Sequence, residues 1–374
     1  MKVRRVFGMA RPIPSVDPDV CVAQTLPGWF YTDASVLDLV RDRVFRRSWQ
    51  VLHDLDAVRV PGTAIPCMLL EGLLDEPLLM TRDHDDRVHV LSNACTHRGN
   101  LVVEHGGVCA SLRCRYHGRR FELDGRFKHM PEFEGCRGFP TDRDNLPAVS
   151  FSTFARSVWC ALEAPCGFEE AVAPIAERMS FFDFEALTPE PTRNREYVVR
   201  ANWALYCDNY LEGLHIPFVH DSLNEALDFG SYATELYPWC NLQLGIASPR
   251  SSDPCFELPA GHPDAGKRVA AYYWWLFPNT MLNIYPWGLS INIVRPVGPA
   301  MTKVSFITYV GDRSKLDRGA GSGLDRGERE DEAVVEATHK GLRSSLYTRG
   351  RYSPTREQCV HHFHRLLIDR LKAH

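Results

Sequence analysis

The stretch from Cys95 to Gly118, CTHRGNLVVEHGGVCASLRCRYHG, opens on Cys95-Thr-His97-Arg-Gly99 and closes on Cys114-Arg-Tyr-His117-Gly118, with sixteen residues between His97 and Cys114. Each end carries one thiol, one imidazole and a glycine, the composition of a pair of tight metal-binding loops. Mixed Cys and His ligands suit soft to borderline metals. Tetrahedral zinc on two Cys and two His is the plain alternative. C-x-H is an awkward zinc spacing, however, and each loop mixes the two residue types instead of separating them. A [2Fe–2S] cluster with two Cys on one iron and two His on the other needs each loop to give one ligand to each metal. Cys95, His97, Cys114 and His117 meet that demand.

Around this stretch the chain reads as an all-β module. Short apolar runs, Ala64–Leu70, Pro77–Met80 and Val88–Leu91, alternate with turn signals at Pro61-Gly62 and Asp83–Asp86. The pattern continues through Phe121-Glu-Leu-Asp-Gly125 to about Ala155. A helix is expected from Phe168 to Met179, and Thr188-Pro-Glu-Pro-Thr192 is a connector. Beyond it the spacing predicts helix over Asn202–Leu214, aromatic strands over Arg268–Arg295, and helices over Glu328–Leu346 and Glu357–Lys372, which makes an α+β domain. Ser314–Gly327 reads as a solvated loop.

The chain has 374 residues, 44% of them hydrophobic, enough for two domains. A net charge of −4 and the lack of a basic, aromatic-interleaved cluster exclude a nucleic-acid footprint. Arg4-Arg5-Val6-Phe7 faintly suggests twin-arginine export, but prolines and aspartates follow where an apolar stretch is required. No run is apolar enough to span a membrane. The expectation is a soluble, cytoplasmic protein with no membrane partner, in which ten of the twelve cysteines (Cys21, Cys67, Cys109, Cys136, Cys160, Cys166, Cys207, Cys240, Cys255 and Cys359) serve packing.

A second metal site is written in Asn202-Trp-Ala-Leu-Tyr-Cys-Asp208-Asn-Tyr-Leu-Glu212-Gly-Leu-His215-Ile-Pro217-Phe-Val-His220. On a helix, Asp208, Glu212 and His215 share a face. Two carboxylates at i, i+4 repel unless a cation lies beside them. His215 and His220 would diverge on a continuous helix, but Pro217 disfavours helix at Ile216 and lets the chain turn, bringing His220 back. Two histidines and a carboxylate on one face of a ferrous ion leave positions open for dioxygen. If Glu328–Leu342 supplies the carboxylate, as the resemblance given below implies, helical spacing points to Asp331, which shares a face with Val334, Val335, Thr338 and Leu342; Glu332 aligns with Glu336 on a solvated face, and Glu330 is the runner-up.

These two motifs resemble the Rieske non-haem iron oxygenases, in the large (alpha) subunit of the ring-hydroxylating family. The glycines at 99 and 118 stand where that family's loops have them, and carboxylate-x-x-His-x4-His matches its iron-binding helix. Arg119 stands where the family often has Trp, and His339 where it often has Gln, so a weak extra ligand or a surface histidine is expected there. The resemblance implies an all-β Rieske [2Fe–2S] module inserted in a helix-grip catalytic domain: residues 1–44 as the start of the catalytic domain, 45–155 as the Rieske domain, 156–374 as the mononuclear iron domain.

It further implies one [2Fe–2S] cluster and one Fe(II) per chain, O2 as oxidant, and electrons derived from NAD(P)H through a flavin or iron–sulfur reductase, with or without a ferredoxin. Other implications are a homotrimer, His215, His220 and Asp331 as iron ligands, and Glu212 with Asp208 as the catalytic acids. Glu212 is the carboxylate joining the metal centres. The reaction implied is hydroxylation or oxidative demethylation of a small organic compound. The branch acting on choline, carnitine and betaine is the nearest in pattern, and Tyr272, Tyr273, Trp274, Trp275, Tyr285 and Trp287 could offer aromatic faces to a quaternary ammonium. Ring hydroxylation of an aromatic compound is the alternative. A Rieske electron carrier without oxygenase activity is the competing class, and it would need the first site alone.

Overall fold

The computed structural model describes residues 12–249 and 251–373, with Ser222 described by its backbone only; the Arg4–Phe7 stretch lies outside them. The chain forms two compact units. Helices α1 (Gly28–Thr32) and α2 (Ala34–Arg43) come first and belong with the later half of the sequence.

The other unit, Phe45–Arg193 together with Thr308–Gly311, is built from short antiparallel strands. They are β1 (Gln50–Asp54), β2 (Thr63–Leu69), β3 (Glu76–Arg82), β4 (Val88–Ser92), β5 (Gly107–Val108), β6 (Leu112–Arg113), β7 (Arg120–Phe121), β8 (Phe127–His129), β9 (Ser150–Phe154) and β10 (Ser157–Ala161). They assort into sheets ordered β4-β3-β2-β5, β6-β7-β8 and β1-β10-β9. The first two sheets share a core that includes Leu79, Leu91, Leu112, Phe121 and Leu146, with Cys95 and Cys114 inside it.

The sequence places the end of this unit at residue 155, whereas the unit runs on to Arg193. Packing explains the difference. Strand β10 is buried along its whole length, and Phe168, at the start of α3 (Phe168–Arg178), sits against both Trp49 and Trp159 with ring centroids 5.1 and 5.5 Å apart. Strand β11 (Thr188–Pro189) then pairs with Tyr309 and Val310, and Tyr309 donates to Asp54 at 2.8 Å.

The second unit carries β12 (Arg195–Val199), β13 (Ala233–Leu236), β14 (Cys240–Ile246), β15 (Val269–Leu276), β16 (Thr280–Tyr285), β17 (Gly288–Gly298) and β18 (Met301–Val310) up to its residue 307. Its sheet runs β18-β17-β16-β15-β14-β13, with β12 also paired to β18. Strands rich in aromatic and β-branched residues suit this buried, pleated surface. Alternation sorts them: Leu242, Trp274, Leu282 and Ile291 pair across one face, while Gln243, Tyr273, Asn283 and Ser290 pair across the other. Helices α4 (Trp203–Tyr210), α5 (Ile216–Val219), α6 (Asp221–Ala226), α7 (Leu324–Gly341) and α8 (Gln358–Lys372) complete the unit. Trp275 and Trp203 both pack on Phe363 of α8, which places helices over the second face. No helix among the described residues is long and apolar enough to cross a membrane.

The stretch expected as one helix over Asn202–Leu214 is shorter. Asn202 caps α4 by accepting from Ala204 N, but the helix stops at Tyr210. Pro217 sits in the first turn of α5, where the missing N–H costs nothing. The proline therefore starts a helix, and the turn lies upstream, around Glu212-Gly213. The loop expected over 314–327 is also shorter, since α7 begins at Leu324 and Ala320 and Gly321 are buried.

None of the twelve cysteines is disulfide-bonded. Of the ten assigned to packing, Cys160, Cys207, Cys240 and Cys359 are buried and four are half-buried. Cys21 and Cys136 are exposed, because each lies in a turn-rich segment outside the sheets.

Arg119, the departure from the family's pattern, is 2% exposed. Its guanidinium donates to the Asp144 carboxylate at 2.7 Å and lies over Phe121, Phe127 and Phe139 at 5.0–5.6 Å from their centroids. A flat cation thus fills an aromatic slot. Replacing Arg119 with Ala should lower the unfolding free energy by about 3 kcal/mol, the low end for breaking a buried pair because Asp144 keeps Thr141 as a partner. Chemical denaturation of the cluster-loaded protein checks this.

Candidate metal centres

The two cluster loops are built alike. Each is closed by an antiparallel pair, Ala94 with Leu101 and Arg113 with Arg120. In each, the cysteine N–H donates to the carbonyl five residues on, at 2.8 Å, and the glycine N–H donates back to the cysteine carbonyl at 2.8 or 3.0 Å. Gly99 and Gly118 close these turns with φ of +70° and +74°, a region that side chains disfavour. Asp144 ties the loops together, its carbonyl accepting from Thr96 Oγ1 at 2.8 Å and from Arg119 at 3.1 Å.

Cys95 and Cys114 are buried, and His97 and His117 are half-buried with ring centroids 4.8 Å apart. Burial pushes the Cys95 thiol up, and neighbouring Cys114 adds to this, so two thiolates here call for a cation. His97 Nδ1 is buried with no hydrogen-bond partner among the described residues, an expensive state for a ring nitrogen unless it binds metal. Asn100 Nδ2 lies 3.6 Å from Cys114 Sγ, a donor suited to a metal-bound sulfur. The four side chains fit a [2Fe–2S] cluster with its thiolates inward and its imidazoles towards the surface.

In the second unit His215, His220 and Asp331 offer ligand atoms that all lie within 4.8 Å of one another. Asp331 Oδ1 is the point of convergence. It stands 2.9 Å from His220 Nε2 and 3.5 Å from His215 Nε2, and accepts from Asn209 Nδ2 at 2.6 Å. The far nitrogens are held by carboxylates, His215 Nδ1 by Glu212 at 2.6 Å and His220 Nδ1 by Glu330 at 2.9 Å. Such bonds fix tautomer and ring orientation, leaving each Nε2 for a metal. Burial opposes protonation of His220, and its bonds to Asp331 and Glu330 outweigh burial, pushing its pKa up to about 9. A ferrous ion answers the same negative charges.

Glu330 is thus a histidine partner, and Glu332 stands apart from the cluster. Neither Glu332 nor Glu336 is on a solvated face: both are partly buried, and Glu336 accepts from Arg200 N at 2.9 Å. His339 is 1% exposed beside Arg343, so it is not the surface residue expected, and it lies outside the triad.

Asp208 is not one of the convergent ligands. Because α4 ends between Asp208 and Glu212, the two acids do not share a helix face. Asp208 turns to α8, accepting from Tyr31 at 2.9 Å and lying 2.8 Å from His364, whose other ring nitrogen meets Tyr352 at 2.6 Å.

A cavity of about 150 Å³ opens beside the triad. Of the aromatics expected to face substrate, Tyr273 and Tyr285 line it. Alternation turns Tyr272 and Trp274 to the opposite face of the sheet, Trp275 packs on Phe363, and Trp287 stacks behind Tyr285 at 5.1 Å. Tyr206, Tyr210, Tyr232, Phe306 and Glu328 also line the cavity and were not foreseen. The i, i+4 spacing of Tyr206 and Tyr210 was a usable signal; Tyr232 and Phe306 had none.

A Rieske cluster site in one unit and a two-histidine, one-carboxylate site in the other define an iron oxygenase subunit. Residues 184–373 match the catalytic domain of the ring hydroxylating alpha subunit, and residues 48–140 match the Rieske [2Fe-2S] domain. The chain belongs to this family of Rieske oxygenase alpha subunits and carries its [2Fe–2S] cluster and mononuclear iron. It is 28% identical to chloroplastic choline monooxygenase of Arabidopsis thaliana, over 99% of this chain and 89% of that protein. It is 25% identical to the carnitine monooxygenase oxygenase subunit of Escherichia coli (strain K12), over 94% of each. A quaternary ammonium Rieske monooxygenase that oxidises carnitine shares its fold, with a TM-score of 0.76 at 22% identity, over 96% of this chain and all of the other.

Replacing Asp331 with Ala should lower iron from about three to about two atoms per chain and spare the cluster's visible absorption, since two histidines alone hold ferrous ion weakly. Replacing Glu330 with Ala should retain more mononuclear iron than the Asp331 variant does. Elemental analysis alongside absorption spectra distinguishes the two.

Proposed function

We propose that this enzyme hydroxylates or oxidatively demethylates a small organic ammonium compound at an iron held by His215, His220 and Asp331. The observation carrying this reading is the composition of the cavity. Tyrosines wall it, Glu212, Glu328 and Asp331 line it, and among the described residues no lysine or arginine does. Such a wall attracts a cation through ring faces and charge together. Gln243, Asn283 and Asn292 also line it, and these amides are poor company for a polycyclic arene. The choline and carnitine monooxygenases among its relatives support the same reading. An iron bound at the triad supplies dioxygen activation; the chain's own residues orient the ligands, hold the substrate and exclude water.

Electrons reach the cluster from a separate NAD(P)H-dependent reductase in this reading, and the working form is a homotrimer. The half-buried edge at His97 and His117 gives the cluster an outward face, and Tyr116 beside His117 is 58% exposed. Near the iron triad, Leu214 and Phe218 are 38% and 83% exposed, an apolar surface suited to a neighbouring copy. Glu212 would pass electrons from the His117 edge of that copy to His215, which it already holds. The disulfide-free cysteines favour a reducing compartment such as the cytoplasm.

Oxygen uptake with a surrogate reductase tests the substrate class. Ammonium compounds such as choline, carnitine and betaines should stimulate uptake and yield oxidised product, and arenes should not; product from arenes alone overturns the assignment. For the electron path, Glu212→Gln should keep all the iron and the cluster's absorption yet slow reoxidation of the reduced cluster roughly tenfold or more, the scale of losing a ligand-orienting partner. Stopped-flow absorbance reads the rate, and an unchanged rate removes Glu212 from the path.

A further inference from the structure

We propose that Glu328 is the anionic anchor for the substrate's ammonium group, an inference that rests on the amine reading above and assigns it to one residue. Glu328 lies on α7 three residues before Asp331, so the two side chains leave the same side of the helix with Cβ atoms about 5–6 Å apart. It lines the cavity and is 6% exposed. Oε2 accepts from Tyr206 Oη at 2.6 Å. Oε1 is buried with no hydrogen-bond partner among the described residues.

The other two acids lining the cavity have imidazole partners: Glu212 lies against His215, and Asp331 against His215 and His220. Among the described residues Glu328 has only a phenol. A buried carboxylate without a cation is costly, and a neutral guest leaves that cost in place. Burial pushes its acid up to about 8, with repulsion from Asp331 and Glu332 adding to it and the Tyr206 bond opposing it. The empty cavity therefore favours the neutral acid, and a cationic guest relieves the imbalance by favouring the ionised carboxylate, whose proton leaves to solvent. A quaternary nitrogen has no hydrogen to donate, so it needs a charge rather than a fixed donor–acceptor geometry. The bare Oε1 offers one, with Tyr206 alongside as a ring face.

The position also fits the chemistry. An anchor one helical turn from the metal ligand holds the nitrogen close to the iron, where the carbons attached to it are the ones within reach. Demethylation and hydroxylation beside nitrogen both occur at such carbons.

The test compares choline with 3,3-dimethylbutan-1-ol, in which carbon replaces the charged nitrogen, by titration calorimetry on the cluster- and iron-loaded protein without reductant. The native protein should prefer choline. Glu328→Gln keeps the shape and an acceptor for Tyr206; it should weaken choline roughly tenfold or more, the scale of one charge-assisted contact, and leave the alcohol unchanged or tighter. Glu328→Asp, which keeps the charge, should retain the preference for choline. Iron content should stay native in both, since Glu328 is not a ligand.

Undiminished choline binding in the Gln variant, or equal loss of both compounds with iron retained, overturns the anchor. Should the Gln variant not fold, loss of the choline preference in Glu328→Asp overturns it as well. A native protein indifferent to the charge, or one that does not bind choline, overturns the amine reading itself.

Discussion

Two imidazoles must present the same nitrogen to one point, and most of the second unit serves that requirement. A free histidine ring has two tautomers and two faces, so a site built from His215 and His220 alone would be poorly defined. Glu212 and Glu330 remove the ambiguity by holding the Nδ1 atoms at 2.6 and 2.9 Å. Asp331 then meets both Nε2 atoms from α7. Each carboxylate is tolerable near the others only because imidazole or metal charge stands between them, so ligands and orienting acids depend on one another.

The cluster loops meet a similar demand with different means. Two thiols sit inside an apolar core while two imidazoles remain near the surface, a polarity that lets the sulfurs avoid water and leaves the histidine edge accessible. Backbone turns repeated in the two loops set the spacing. The Arg119–Asp144 pair, reaching Thr96 in one loop from Arg119 beside the other, joins them without taking a ligand's place. A guanidinium can fill a slot between phenyl rings because it is flat and weakly hydrated.

The cavity inherits its character from both layers around it. The sheet contributes alternate residues, Gln243, Tyr273 and Asn283 among them, and the helices contribute Tyr206, Glu328 and the triad. Among the described residues neither layer brings a lysine or arginine to it. A carboxyl group beyond those that the iron ligands require, that of Glu328, is therefore part of the binding space.

The sequence alone pointed to the metal chemistry. Cys95, His97, Cys114, His117, His215 and His220 stood out as candidates because ligand spacing within short loops is local, and the period of a single helix pointed to Asp331, although the face it gave to solvent, with Glu332 and Glu336, is partly buried. The two-layer α+β character of the second unit was legible for the same reason. Tertiary structure decided the rest. Whether Asp208 and Glu212 share a face depended on where α4 ends, a matter of turn geometry at Glu212-Gly213 that Pro217 pointed to only approximately. The extent of the first unit depended on Phe168 meeting Trp49, a contact across more than a hundred residues. Tyr232, Phe306 and Glu328 came to the cavity through strand register and helix packing, and His339 was buried the same way. Those placements are settled by long-range burial, which residue type and local periodicity do not encode.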